Sequence, residues 1–508
     1  MSETGLRAQD LDWLAARGID EAEAARQVGL LRDAPTPPRL LRPATPRDGI
    51  ELLGEDTAEA DLRALERAGA KLRIERFVPA SGAASRMFAD LLAALETGEQ
   101  STSHPESLAR FAREAGRLPF QRALAAAQGR TGSSAIGSAL ATDGAELVRA
   151  LLLDDRHGLA ECPKGLIPFH RYGDRERAAF EEHLHEWSAL ASGPSRLHYT
   201  VSPQHRSRFA SALEAALPEV SAATGHRPEV TWSEQDPSTD TLALAEDGDL
   251  ARDAEGHPLL RPGGHGALLR NLGARAAAGN DLVHLRNIDN VARAEDQPAR
   301  IAVCRRLLGR LARLREQVFA LLHDLDAGGA AALANAERFA VETLRRDAPR
   351  GTESERRETL RRWLDRPLRV AGMVLHEGEP GGGPFWSEDQ DGLASLQIVE
   401  ASQVDRDDPS QDGILRAATH FNPVDLACVL RDERGRAFEL ERFVDRRTWF
   451  RAAKSHGGRP IRVLERPGLW NGAMAGWLTV FVEIPASTFS PVKTVWDLLR
   501  PAHVGQEP

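Results

Sequence analysis

The chain has 508 residues and carries 65 Lys plus Arg against 75 Asp plus Glu, a formal net charge of −10. That length excludes a small disulfide-stapled scaffold and suggests roughly three domain-sized units, while the acidic balance gives no general attraction for polyanions, so no nucleic-acid partner is expected. With 42% hydrophobic and 28% charged residues the composition is that of ordinary globular material able to bury a large core.

Residues 1–75 are rich in Ala, Leu, Arg and Glu, with helical periodicity in Asp10–Leu31 and Ala58–Ala70 around a Pro-rich break, and are expected as a helical N-terminal segment. The first strand signal, Leu72–Val78, runs into Pro79-Ala-Ser-Gly-Ala-Ala-Ser-Arg86 and then a helical pattern. Residues 97–149 look like a helical insertion. Further strands are predicted at His198–Val201, Glu229–Trp232, Leu282–Leu285, Val370–Leu375, Leu396–Glu400, Leu426–Leu430 and Thr479–Ile484. Helical patterns separate most of them, which predicts an α/β protein with a mainly parallel or mixed sheet. The expected division is 76–295 as an α/β core, 296–365 as a helical insertion and 366–508 as a C-terminal α/β part completing the core and substrate pocket.

Cys162, Cys304 and Cys428 are far apart and have neither metal-ligand nor redox spacing, so they are expected as reduced, packing thiols. No run approaches the ~20 apolar residues of a membrane span and the first thirty residues are not signal-like, so a cytoplasmic protein with no membrane partner is expected. Only four basic residues are lysine, namely Lys71, Lys164, Lys454 and Lys493. Where lysine survives such an arginine bias, a compact ammonium is a candidate requirement. Lys164 and Lys454 both adjoin glycine-containing segments.

The segment Phe77-Val-Pro-Ala-Ser-Gly-Ala-Ala-Ser-Arg-Met-Phe88 couples a buried strand to a run of small residues and a helix start, so Ser81, Gly82 and Ala83 can bring backbone amides to an anion, with Arg86 closing over phosphates. A tight packing turn is the alternative. It is neither a Walker A loop nor a dinucleotide fingerprint. In Cys162-Pro-Lys-Gly165, proline and glycine shape a loop from which Lys164 can reach a phosphate as a point charge. Gln235, at a strand end, offers donor and acceptor for a base edge, or belongs to a capped turn. Gly263, Gly264 and Gly266, in Arg261-Pro-Gly-Gly-His-Gly-Ala267, permit close backbone contact with a base or ribose. The strand Leu282–Leu285 delivers Asn287, Asp289 and Asn290 at its carboxyl end, where open α/β sheets bind ligands, and a lone carboxylate there suits Mg²⁺. Toward the C terminus, Gln397-Ile-Val-Glu400, Thr419-His-Phe-Asn-Pro-Val-Asp425, Leu469-Trp-Asn-Gly-Ala-Met474 and Ser490-Pro-Val-Lys493 cluster polar residues. Of these, Glu400, His420 and Asn422 are candidate substrate contacts and Asp425 a candidate second metal ligand, with plain turn chemistry as the alternative. His183 and His185, two apart on a predicted helix, cannot chelate one ion.

Taken in order, these segments resemble the sugar nucleotidyltransferases of the UDP-sugar pyrophosphorylase type, whose fold is a Rossmann-like three-layer, glycosyltransferase-A-like core. The chain departs from them in carrying alanine at 83 and 84. More closely, Phe-Val-Pro-Ala-Ser-Gly-Ala-Ala-Ser-Arg-Met, Arg-Pro-Gly-Gly-His-Gly-Ala-Leu, Thr-His-Phe-Asn-Pro-Val-Asp and Trp-Asn-Gly-Ala-Met are similar to an uncharacterised bacterial family, a domain of unknown function. The pyrophosphorylase resemblance implies catalytic roles for Arg86 and Lys164, base or ribose contacts for Gln235, Gly263, Gly264 and Gly266, and Mg²⁺ at Asp289. It implies a nucleotidyltransferase that joins a nucleoside triphosphate to a sugar-1-phosphate-like acceptor and releases pyrophosphate. A non-catalytic sugar-nucleotide-binding or regulatory protein, and a metal-dependent glycosyltransferase, are the alternatives. A shared site requires Lys164 and Asp289 to lie within reach of one triphosphate.

Overall fold

In the computed structural model, residues 5–33, 36–96, 104–128, 144–154, 158–190, 195–376, 378 and 381–505 are described. The expected α/β class is what is observed, in two compact units. The first comprises Met1–Glu75, Gln235–Leu285 and Arg305–Ala486; the second comprises Arg76–Glu234, Arg286–Cys304 and Ser487–Pro508. These bounds cut the chain differently from the expected division, because Gln235–Leu285 groups with the first unit and the C-terminal Ser487–Pro508 with the second.

In the first unit, Thr45–Pro46, Gly49–Leu52, Leu478–Glu483, Leu368–Leu375, Asp425–Val429 and Leu282–Arg286 are neighbours in that order. Leu368–Leu375 pairs parallel with Leu478–Glu483 and antiparallel with Asp425–Val429, so the sheet is mixed. Leu282–Arg286 is buried along its whole length, as an interior strand covered on both faces must be. A three-stranded sheet (Leu40–Pro43, Gly382–Glu388, Ala394–Glu400) and a four-stranded one (Leu260–Arg261, Thr241–Ala245, Arg459–Glu465, Phe450–His456) complete the β structure here. Gln297–Ala327, Ala330–Glu342 and Glu353–Leu364 are helices, as the leucine spacing predicts.

All seven later strand predictions match a strand to within two residues at either end. The helical reading of residues 1–75 needs correction: helices occupy Ala8–Ala15, Glu21–Arg32 and Glu55–Gly69, but Leu40–Pro43, Thr45–Pro46 and Gly49–Leu52 are strands. The Pro-rich break hid them, because proline cannot donate to a ladder and its presence argues against a strand, although these short strands place Pro43 and Pro46 at their ends. Of the predicted insertion at 97–149, residues 97–103 and 129–143 lie outside the described residues, and His104–Glu114, Gln121–Ala127 and Gly144–Leu153 are helices. Part of the loop Gly378–Pro384 likewise lies outside them.

The second unit holds the greater part of Ile74–Pro79, followed in sheet order by Arg196–Thr200 and Glu229–Ser233, the last two paired in parallel. A hairpin, Pro168–Tyr172 with Arg175–Ala178, turns at Gly173-Asp174, where Gly173 takes φ +60°, the left-handed conformation that short hairpins demand. One apolar cluster runs from Met87, Phe88 and Phe120 through Ile167 and Phe169 to Val492 and Leu498, tying the segment after the small-residue loop to the C-terminal strap. The three cysteines are free and buried, as expected. Among the described residues no helix is long and apolar enough to cross a membrane.

Candidate functional site

The second unit brings together two motifs separated by nearly eighty positions. The strand Ile74–Pro79 ends, and Ala80–Ala83 leads into the short turn Ala84–Phe88 and the helix Ala89–Glu96. Two backbone hydrogen bonds clasp this loop to the Cys-Pro-Lys-Gly segment: the Lys164 amide donates to the Gly82 carbonyl at 3.1 Å, and the Ala84 amide to the Cys162 carbonyl at 3.0 Å. Ala83 and Pro163 face each other as an isolated β-bridge. Gly82, Ala83 and Arg86 are exposed and Ser81 half-buried. A Cβ added at Gly82 would meet nothing within 4 Å, so this glycine borders open space.

The clasp aims Lys164 at the loop that follows Leu282–Arg286. Lys164 Nζ lies 2.7 Å from Asp289 Oδ2, and Lys493 Nζ reaches the same oxygen at 3.0 Å. The Lys164 and Asp289 side chains are 14% and 10% exposed, whereas that of Lys493 is 54% exposed and opens the cluster to solvent. Burial pulls the Lys164 ammonium below its ordinary pKa; Asp289 opposes the fall, and Lys493 and Arg86 add to it. Burial acts to raise Asp289, yet Lys493 and Lys164 outweigh it and hold the carboxyl low. The result is one carboxylate against three cations, a net positive, partly open group suited to an anion.

This loop is braced from within the unit. Glu186 sits among Arg76 (2.7 Å), Arg286 (2.7 Å) and Arg300 (3.5 Å), all buried, and Arg300 Nη2 donates to the Asn290 carbonyl (2.9 Å) and its Oδ1 (3.0 Å). His183 is buried, with Nε2 against the Ile288 carbonyl at 3.3 Å.

Asp289 Oδ1 is buried and meets no hydrogen-bond partner. One hard oxygen of this kind fits Mg²⁺, which takes one or two protein carboxylates and fills its shell with water and phosphate oxygens. With two ammoniums on the other oxygen, the donor set suits an ion carried in on phosphates rather than one held by protein alone. Asp425 does not fit the metal role expected of it. It opens the strand Asp425–Val429, is buried, and its Oδ1 accepts from His284 Nε2 at 2.6 Å. Among the described residues no group of three or more His, Cys, Asp or Glu could hold a metal ion.

The remaining predicted residues belong to the first unit. Gly263, Gly264 and Gly266 abut protein: an added Cβ would lie 2.7 Å from the Thr239 carbonyl, 2.7 Å from Glu465 Oε2 and 2.1 Å from the Pro467 carbonyl, respectively. Gly264 also has φ +74°. Their small size is thus explained by close packing within the unit, which corrects the reading that it makes room for a base. Gln235 is half-buried and donates to Asp240 Oδ1 at 3.0 Å, the capped-turn alternative in structural form. Lys454 pairs with Glu465 at 2.8 Å.

Glu400, Asn422 and a residue missed from sequence, Asn471, form a second polar set. Gly382 pairs in register with Glu400, and its carbonyl accepts the Asn422 amide at 2.8 Å. Asn471 Nδ2 donates to Glu400 Oε1 at 3.2 Å, leaving Asn471 Oδ1 buried without a partner; Asn422 Nδ2 is likewise buried and unpartnered. Asn422 Oδ1 accepts the amide of Val424, whose φ of +60° is a strained conformation for a β-branched residue. His420 is buried between Thr419 Oγ1 (2.8 Å) and Glu483 Oε2 (3.1 Å). Lys493 was also missed as a site residue, although its rarity as a lysine was a usable signal.

Among solved structures, the chain is similar to UDP-N-acetylglucosamine pyrophosphorylase from Trypanosoma brucei in complex with an inhibitor, at 13% identity and TM-score 0.47, covering 97% of this chain and 79% of that one. It is also similar to a UDP-glucose pyrophosphorylase variant from Leishmania major, at 13% identity and TM-score 0.48, covering 98% and 79%. At this level the likenesses assign neither activity nor substrate. No curated protein matches the sequence. The family described as a domain of unknown function, DUF4301, matches residues 7–504, and the chain belongs to that family.

Proposed function

We propose that the second unit carries the phosphate-handling centre of a nucleotidyltransferase, which joins a nucleoside triphosphate to a sugar-1-phosphate-like acceptor. The observation that supports this best is the convergence of Lys164 and Lys493 on the single oxygen of Asp289, beside an open glycine loop. No protein nucleophile is needed. The acceptor phosphate oxygen attacks the α-phosphorus, a new P–O bond forms, the bond to the bridging α–β oxygen breaks, and pyrophosphate departs with that electron pair. Lys164, Lys493 and Arg86 are placed to neutralise phosphate charge, and the Gly82–Ala83 backbone is open to close approach. Asp289 would hold Mg²⁺, which when bound supplies further charge neutralisation on the phosphates.

The test is to incubate the full chain with each nucleoside triphosphate, Mg²⁺ and a panel of sugar 1-phosphates and to follow pyrophosphate. Release that depends on both substrates is expected. Tight nucleotide binding with no pyrophosphate from any pair would replace this reading with the non-catalytic one.

A further inference from the structure

The hairpin, the helix Ala179–Leu190 and the C-terminal turn Pro501–Val504 enclose a chain of polar groups that the phosphate chemistry does not use. Glu182, His170 and His503 are 1%, 0% and 2% exposed. His170 Nδ1 lies 2.8 Å from Glu182 Oε1, and His170 Nε2 lies 2.9 Å from His503 Nδ1. His503 Nε2 lies 3.1 Å from the Ser490 carbonyl oxygen.

The protons on this chain can be counted. A carbonyl only accepts, so His503 Nε2 carries a proton. Glu182 Oε1 also receives the Tyr172 hydroxyl at 2.8 Å; that hydroxyl is free to donate because its oxygen accepts the Ala294 amide at 2.9 Å. Glu182 Oε2 receives Gln297 Nε2 at 2.8 Å and Arg177 Nη1 at 3.3 Å. A carboxyl surrounded by donors is ionised, so His170 Nδ1 also carries a proton. Two ring nitrogens 2.9 Å apart then need one more proton between them. Two neutral imidazoles hold two ring protons; this pair holds three, and is a single cation.

The far end of the chain is the segment bearing Lys493. The Ser490 amide donates to Asn290 Oδ1 at 3.2 Å and its hydroxyl to the Val291 carbonyl at 3.1 Å, while the Val492 amide donates to the Asp289 carbonyl at 3.1 Å. Ser490–Lys493 is therefore stitched to the Asp289 loop on one side and to His503 on the other.

We infer that Glu182, His170 and His503 form a singly charged relay whose third ring proton holds the Ser490–Lys493 segment, and with it the Lys493 ammonium, against Asp289. His170 and His503 are positioning residues, and the charge sits on His170 beside the carboxylate. Burial, aided by His170, depresses His503 to about 3, which agrees with a bare His503 Nδ1. The titratable and charged groups facing the pair are Glu182 and Tyr172, Arg177 from the hairpin's second strand, Arg293 and Glu295 from the loop before Gln297–Ala327, and Arg300 and Arg500 toward His503. When the third proton leaves to solvent, two lone pairs face one another and the hold on the Ser490 carbonyl weakens.

The experiment uses the full chain labelled with ¹⁵N-histidine and reads ring-nitrogen protonation together with backbone amide exchange, so it stands whatever reaction the site performs. Both His170 nitrogens should be protonated in the folded chain and His503 only at Nε2. His503→Leu should speed Val492 exchange by about tenfold or more and leave Tyr199 in the parallel strand unchanged. His503→Gln, which keeps a donor for Ser490 and an acceptor for His170, should restore protection. In the wild type, Val492 exchange corrected for base catalysis should rise as His170 loses its proton. A neutral His170 in the folded chain, or Val492 protection independent of the His170 proton, overturns the inference, and these wild-type readouts decide it even if His503→Leu does not fold.

Discussion

Two glycine-containing segments read alike in the sequence and differ in the fold. Around Gly82 the missing side chain borders open space, beside two lysines and a carboxylate. Around Gly263–Gly266 the same missing side chains admit the Thr239 and Pro467 carbonyls and the Glu465 side chain. A glycine reports that a Cβ is not tolerated or not needed. Whether ligand or protein takes the vacated volume depends on long-range packing, which a single sequence does not disclose.

If the contrast holds, the largest effect belongs to the charged cluster. Lys164→Ala should lower the rate of pyrophosphate release by on the order of 10³-fold, roughly 4 kcal/mol of transition-state stabilisation, with circular dichroism and melting temperature little changed because the backbone clasp to Gly82 survives. An unaltered rate would remove the open loop from the chemistry altogether. Asp289→Asn comes next, at roughly 10²-fold. The substitution also removes the charge that partly offsets the fall in the Lys164 pKa, leaving Lys493 and Arg86 to act with burial. A lysine needed as a cation then loses its proton at lower pH, so the alkaline limb of the rate profile should move to lower pH. A limb that stays in place would show that Lys164 does not set it.

The filled loop makes the opposite prediction. Gly266→Ala places a Cβ 2.1 Å from a backbone carbonyl that cannot swing aside as a side-chain end would, and overpacking of this kind costs about 2 kcal/mol. It should lower the melting temperature with or without nucleotide. Normal stability combined with lost nucleotide affinity would reinstate the base-binding reading.

Strand and helix types were largely legible because buried strands such as Leu282–Arg286 and the leucine-spaced helices announce themselves by local pattern. The small-residue loop, Lys164 and Asp289 were legible too, as separate motifs. That they meet was not a local property: it depends on the clasp between Gly82 and Lys164, across a helical insertion. Lys493 stands in view as one of four lysines and at the end of Ser490-Pro-Val-Lys493, yet nothing local sets it apart as a partner of Asp289 Oδ2. Lys454, which adjoins a glycine-containing segment, makes a half-exposed ion pair with Glu465. The arginine bias was thus a sound signal and glycine adjacency a poor filter. Asp425 misled because its Asn-Pro-Val-Asp context looks like a loop end, whereas its burial against His284 appears only in three dimensions.

The smallest expected effect on stability is the sharpest probe of the contrast. Gly82 has no neighbour within 4 Å of an added Cβ, and its φ lies outside the left-handed region, so Gly82→Ala introduces neither clash nor backbone strain. The change should alter stability by less than about 0.5 kcal/mol, and alanine's narrower unfolded ensemble favours the stabilising sign. Nucleotide affinity should nonetheless fall, because a methyl group stands where phosphate oxygens must approach the backbone amides. Melting curves with and without millimolar nucleoside triphosphate measure both quantities in one series: the apo midpoint should hold, and the ligand-induced rise should shrink in proportion to RT ln(1 + [L]/Kd). An apo midpoint that drops as it does for Gly266→Ala would make the two loops alike after all. An unchanged apo midpoint with an unchanged ligand-induced rise would move the phosphates away from Gly82 and leave the lysine pair to bind them alone.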